Sequence, residues 1–466
     1  MRLVRTRALT AAASVLLLPA VLYAHVVLRK SEPANGAVLR VAPRVIRLTF
    51  SESPQLAFTR VELIGPNSQQ IALSPLRAAA PDSTRIVVAD VLGPLRAGLY
   101  RITWQITSAD GHPVRGSLAF RIAVDAAGLA ISPMDSAASA ALPPVPVDTA
   151  ASPAPTPPEA TTPFDAESWQ YAIVRLLTFT AITMVVGAVV FAMIVVPGVH
   201  HRVPDLPAAF VVESRRLAAR TALGATAALA VFLVARLVAQ SYAVRGAPPS
   251  LDFVRDVTRT AWGVGFLVAT GSLIALAVAL SRPRQASWRT AALGVLGLAL
   301  ATALSGHAAA SGRWTAIAVV SDTVHILAAG GWLGALLFVV VAGVPATAAL
   351  APLGRGLAVR GMVDVFSPMA LAFAGVLAVT GVIAAVLRLG AWSALTGSDY
   401  GRLLLLKIGG LVLVLIVGAY NWLRLRPALD GDRVGTLRRT AAAELALGLA
   451  VLAVTAWLVA TPPPGD

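Results

Sequence analysis

From residue 26 to residue 124, apolar and polar positions alternate in short runs with a period of two, as in strands that bury one face. The runs lie at 45–50, 60–64, 85–88, 100–106 and 117–122, separated by turn sequences such as Pro33-Ala34-Asn35-Gly36, Gly65-Pro66-Asn67 and Arg96-Ala97-Gly98. That spacing predicts a small all-β, Ig- or cupredoxin-like antiparallel sandwich, for which about 100 residues suffice. After it the pattern vanishes. Residues 125–167 are rich in alanine, proline, serine and threonine, with no periodicity that could bury a face, and they predict a disordered tether.

From residue 168 to residue 461 the pattern is one of long apolar runs, near 170–196, 217–240, 258–280, 290–306, 316–343, 367–388, 402–423 and 440–460. A helix needs about 20 residues to cross a hydrocarbon core. An all-α polytopic membrane domain of about eight helices is therefore expected, the run at 290–306 being the shortest. The first 24 residues have another design. Arg2, Arg5 and Arg7 precede an apolar stretch from Ala8 to Val21, and Ala24 closes it, which predicts a signal peptide cut before His25.

Charge fixes the expected direction of the helices. An exported sandwich followed by eight spans leaves the C-terminus outside and alternate loops inside. Arg202, Arg215, Arg216 and Arg220 fall in the first inner loop; Arg282, Arg284 and Arg289 in the second; Arg355 and Arg360 in the third; Arg424, Arg426, Arg433, Arg438 and Arg439 in the fourth. The opposite loops carry fewer, chiefly Arg245, Arg255, Arg259, Arg313, Arg388 and Arg402. This bias predicts a multi-pass protein of the inner (plasma) membrane with its N-terminal domain and C-terminus extracytoplasmic.

Composition agrees with that reading. The 466 residues are 57% hydrophobic and only 13% charged, too apolar for a soluble chain of this length. The net charge of +15 does not point to nucleic acid, because the arginines sit in short loops and no basic groove with interleaved aromatics appears. The absence of cysteine excludes a disulfide framework, thiolate metal sites and thiol redox chemistry.

The candidate chemistry begins at His25. Cleavage before it would place a free amine beside the imidazole of the same residue, and the five-membered chelate formed through Nδ1 suits Cu(II), which favours nitrogen and oxygen donors in a plane. A second candidate lies in Ser108-Ala109-Asp110-Gly111-His112-Pro113, between two predicted strands. Asp110 and His112 could join His25 around one ion, copper or zinc; an Asp-Gly pair is equally a plain turn.

Taken with Ser31-Glu32-Pro33-Ala34-Asn35-Gly36, Thr49-Phe50-Ser51-Glu52 and Tyr100-Arg101-Ile102-Thr103-Trp104, these residues make 25–124 resemble the CopC family of periplasmic copper-binding proteins. The resemblance implies Cu(II) as the bound ion and His25, Asp110 and His112 as its ligands. Some members also have a methionine-rich Cu(I) site. The six methionines of this chain, at positions 1, 134, 184, 193, 362 and 369, all lie outside the sandwich.

The later half resembles the CopD family through Gly306-His307-Ala308, Asp322-Thr323-Val324-His325, Gly331-Trp332-Leu333-Gly334, Phe366-Ser367-Pro368, Thr380-Gly381, Tyr400-Gly401-Arg402, Lys407 and Asn421. Asp322 and His325 fall three residues apart on one helix face, and His307 just beyond the outer end of the fourth helix. Ionisable groups at membrane depth are costly and mark a pathway, so His307, Asp322 and His325 are the candidate membrane copper site, with packing between helices as the plain alternative. Arg236 and Lys407 lie near outer helix ends, where they can snorkel. Glu444 is read as opening the last helix, and His200-His201 as interfacial.

The expected function is copper handling: an exported sandwich captures Cu(II), and the membrane domain passes copper across the bilayer, with import as the direction the resemblance implies. No nucleotide-binding loop is present to drive it. The alternatives are a non-transporting membrane-anchored copper chaperone or sensor, a copper oxygenase and a haem cytochrome using His307 and His325. The expected partners are copper ions, the lipid bilayer and periplasmic copper chaperones, with no nucleic acid; no catalytic residue is assigned.

Overall fold

The computed structural model describes residues 27–51, 53–80, 83–107, 113–123, 168–306, 308, 314–389, 391–425 and 434–461. The expected signal peptide and tether lie outside the described residues. The chain divides into two compact units, one built on sheets and one on long helices.

The first unit has nine strands among the described residues: β1 (Leu28–Glu32), β2 (Val38–Leu39), β3 (Val45–Phe50), β4 (Arg60–Ile64), β5 (Gln70–Ile71), β6 (Arg77–Ala78), β7 (Ile86–Asp90), β8 (Gly98–Thr107) and β9 (Pro113–Ile122). They form two sheets, ordered β1-β3-β7-β6 and β2-β9-β8-β4-β5. Alternation explains why both sheets close on one core. In β3, Ile46, Leu48 and Phe50 are buried while Arg47 faces out, and in β8 Tyr100, Ile102, Trp104 and Ile106 do the same on the facing sheet. Each large side chain so buried contributes about 1.5–3 kcal/mol. Phe50 meets Trp104 edge-on with ring centroids 5.5 Å apart, and Tyr100 stacks on its cross-strand partner Phe120 at 5.4 Å.

β8 and β9 form the long hairpin of this unit, in register from Gly98 opposite Ile122 to Thr107 opposite Pro113. Within it Gly116 lies opposite Trp104, and a Cβ at Gly116 would run into the indole. The side chain missing there leaves space for the largest ring of the core.

The second unit contains α1 (Trp169–Arg202), α2 (Ala208–Arg245), α3 (Ala261–Leu280), α4 (Trp288–Leu304), α5 (Thr315–Ala349), α6 (Pro352–Leu389), α7 (Asp399–Arg424) and α8 (Val434–Leu458). Seven have the length and apolarity to cross a membrane, and the chain is a multi-pass membrane protein. The eighth, α4, has 17 residues, about 26 Å of helix, and packs along α3. The run at 290–306 is thus a helix, shorter than its neighbours.

Several helices extend well beyond their apolar runs. α2 begins nine residues before residue 217, and its added turns hold Arg216 against Glu213 at 2.7 Å. Three helices also depart from regular α geometry, α1 at Phe191–Val195 and α5 and α7 near their polar residues. α5 widens to a π-helical turn at Gly330–Gly334, and α7 ends in another at Asn421–Leu425. The first coincides with a very close helix contact: Gly334 lies against Gly187 of α1, backbone to backbone, with no room for a Cβ on either.

Candidate functional site

In the sheet unit the described backbone carries the two segments that bear the sequence candidates. Val27, two residues after His25, is tied to Ser51 by bonds in both directions: Val27 N–H donates to Ser51 Oγ at 2.8 Å, and Ser51 N–H to the Val27 carbonyl at 2.8 Å. Thr107, three residues before Asp110, accepts from Gln55 N–H at 3.0 Å through its carbonyl. Both segments are therefore anchored to residues 51–55. His25, Asp110 and His112 themselves lie outside the described residues.

In the helical unit, α5, α6 and α7 assemble a polar cluster. Asp322 and His325 lie on α5, Thr380 and Arg388 on α6, and Tyr400 and Lys407 on α7. The start of α7 is set by Ser398, whose Oγ accepts from Gly401 N–H at 3.0 Å. A Cβ at Gly401 would strike the Ala394 carbonyl, so this first turn, with Tyr400 in it, packs closely against the short helical turn Ala394–Gly397.

Asp322 Oδ2 pairs with Arg388 at 3.0 Å, side chains only 27% and 19% exposed, so most of the pair is out of contact with solvent. Tyr400 interacts electrostatically with Arg388 from α7. Lys407, half-buried, interacts through charge with Asp322, His325 and Arg388.

His325 is held differently. Its Nδ1 lies 2.8 Å from Thr380 Oγ1. The Thr380 hydroxyl has one hydrogen, and it points back to the Val376 carbonyl at 2.8 Å, with Leu377 at 3.3 Å. With the hydroxyl hydrogen assigned to the helix backbone, Thr380 accepts from His325, an assignment that puts the imidazole proton on Nδ1 and leaves the Nε2 lone pair open. A metal-binding histidine is typically fixed in this way, by a partner on its other nitrogen.

Of the three membrane candidates, the structure brings Asp322 and His325 into one cluster but gives their polar atoms different partners. His307 lies outside the described residues. Among the described residues no group of three or more histidine, aspartate or glutamate side chains is arranged around a common point. Arg236 lies over the Trp262 ring at 5.9 Å, a cation–π contact. His200 and His201 are exposed in the last turn of α1.

Two readings change. Arg388, assigned from sequence to a loop, is in the last turn of α6 and neutralises Asp322; its place at the end of an apolar run, with one acid on the neighbouring helix, was the available signal. Glu444 does not open α8. It is the eleventh residue of that helix and 3% exposed, because helical structure begins at Val434, before the apolar run.

Three family profiles match the chain: the CopC domain over residues 28–123, the N-terminal domain of copper resistance protein D-like proteins over 165–316, and copper resistance protein D over 360–458. The chain is 26% identical over 461 residues to the copper transport protein CutJ of Bacillus subtilis, covering 96% of this chain and 76% of CutJ. It is 33% identical over 126 residues to copper resistance protein C of Pseudomonas syringae pv. tomato, covering 26% of this chain and 99% of that protein. Among solved structures, the copper resistance protein PcoC of Escherichia coli is similar, at 30% identity and a TM-score of 0.19, covering 21% of this chain and 99% of PcoC.

Proposed function

The chain belongs to the copper resistance family as a fusion of its CopC and CopD parts, and from that premise we propose that it captures Cu(II) outside the cell membrane and carries copper inward. The observation that supports a membrane step is the orientation of His325. With Nδ1–H donating to Thr380 Oγ1, Nε2 is left as a donor to a soft or borderline cation between three apolar helices. The neighbouring acid is already neutralised by Arg388, so a cation at His325 would be held by imidazole rather than by a fixed negative charge, which favours passage over storage.

Capture is assigned to the His25 amine and imidazole with Asp110 and His112. The anchoring of Val27 and Thr107 to residues 51–55 supports their convergence, since it limits how far either segment can depart from the other. The amine becomes a ligand only after the bond to Ala24 is cut. Copper then passes to the membrane unit, where His307 and His325 receive it, with Asp322 and Lys407 setting the local charge. At about 5–6 Å times the square root of residue number, a tether of some 40 residues spans roughly 30–40 Å, which keeps the donor domain at high local concentration.

Cellular copper content tests this reading. Cells carrying the protein should accumulate copper at low external supply, and His325→Ala should abolish the gain while Cu(II) binding by the sandwich persists. Equal copper content in both strains would leave an anchored chaperone or sensor.

A further inference from the structure

Glu444 is the one acidic side chain of the described helices that is almost fully buried, at 3% exposure, and no ion pair reaches it among the described residues. Its neighbours are neutral donors. Asn421 Nδ2 donates to Glu444 Oε2 at 3.3 Å, and the Trp332 indole lies near enough to the same carboxyl to act on its charge. Both residues stand on π-helical turns, two of the four in the described helices, Trp332 within Gly330–Gly334 and Asn421 at the head of Asn421–Leu425, a local geometry often retained at functional positions. Opposite Oε1 stands Gly418, where a Cβ would come within 3.5 Å.

One hydrogen bond is missing from this group. Asn421 Oδ1 is buried and has no donor. Its own amide already gives a hydrogen to Glu444 Oε2, so the adjacent carboxyl is the natural source of the missing one. A carboxylate cannot supply it, whereas a carboxylic acid donates through its second oxygen and completes a paired acid–amide arrangement. Protonation thus removes an uncompensated charge at membrane depth and an orphaned acceptor together.

We propose that Glu444, with Asn421 and Trp332, is a proton-binding station through which copper movement is coupled to a proton gradient. The coupling part rests on the transport reading above. The other ionisable groups of the packed helices are Asp322 and His325 on α5, Asp399, Tyr400, Arg402, Lys407, Tyr420 and Arg424 on α7, and Arg438 and Arg439 on α8; α1 has none between Arg175 and His200. The two helices that position Glu444 also carry the outer cluster. Trp332 follows His325 by seven residues on α5, and Asn421 follows Lys407 by fourteen on α7. These intervals return close to the same helix face, about 10 and 21 Å further along.

The experiment uses the full chain reconstituted in lipid vesicles. Infrared spectra near neutral pH should contain a protonated-carboxyl band that disappears in Glu444→Gln and shifts in Asn421→Leu; an unchanged band in Glu444→Gln overturns the proposal. An imposed pH gradient should accelerate copper entry about tenfold in the native protein, an ordinary coupling strength, and leave Glu444→Gln with passive copper flux and no such response. A full response in the variant, or a response to a sodium gradient instead, also overturns it. If the native protein moves no copper, the transport reading fails, and the infrared result alone decides the proton station.

Discussion

The Asp322 carboxylate lies 3.0 Å from the Arg388 guanidinium, linking the second turn of α5 to the last turn of α6. Arg388→Leu should therefore leave a largely buried acid without its counter-charge and cost about 3 kcal/mol, the usual penalty for breaking such a pair from one side. Thermal unfolding in detergent reads the loss. The double replacement Asp322→Asn with Arg388→Leu should recover part of it; no recovery would mean that the ion pair is not what Arg388 contributes.

Thr380→Val keeps the shape of the side chain and removes the acceptor that fixes the His325 ring. Copper accumulation should fall about tenfold or more, as is usual when the partner of a metal-binding histidine is lost, and Thr380→Ser should retain it. Equal effects of the two substitutions would point to packing at this position.

A soluble fragment starting at His25 should bind one Cu(II) tightly. One extra residue ahead of His25 should weaken binding severely, as should His112→Ala, with Asp110→Ala milder. Affinity should also decline below about pH 6.5, where imidazole and amine are both protonated. Competition titration measures each case, and an extended fragment with native affinity would remove the amine from the site.

Topology can be read by single cysteines, since the native chain has none. Positions near Arg245 and in Pro462-Pro463-Pro464 should label from outside, and those near Arg215 and Arg433 from inside. Inside labelling of the tail would require an odd number of spans and would remove α4 from their number.

Gly116→Val places a branched side chain where the Trp104 indole lies. Such overpacking should cost about 1–3 kcal/mol in the sandwich, measured by denaturant titration. Unchanged stability would mean that the indole has room to move.

Much of this fold could be read from sequence because period is a local property. The alternation in Val45–Phe50 and the apolar run behind α3 each follow from side chains within a few residues. The ends of helices were less legible: nothing in the apolarity of 440–460 announces that α8 starts at Val434 and carries Glu444 inside it. Pairing across helices was least legible. Asp322 and Arg388 are 66 positions apart, and only the packing of α5 on α6 makes the arginine a partner rather than a loop charge. Thr380 and Asn421 were visible as motif residues, but the direction of a hydroxyl hydrogen or an amide is set by neighbours that no spacing specifies.

The contact of Gly334 with Gly187 has a mechanical consequence. Where two backbones touch, there are no rotamers to adjust and no soft side chain to compress, so α1 and α5 behave there as a single stiff beam. If copper passes His325, the accompanying shift must be taken up on the far side, by α6 moving with Thr380 or by α7 carrying Lys407 aside. A bulkier residue at position 187 would wedge the beam apart and disturb the route without touching any residue that lines it.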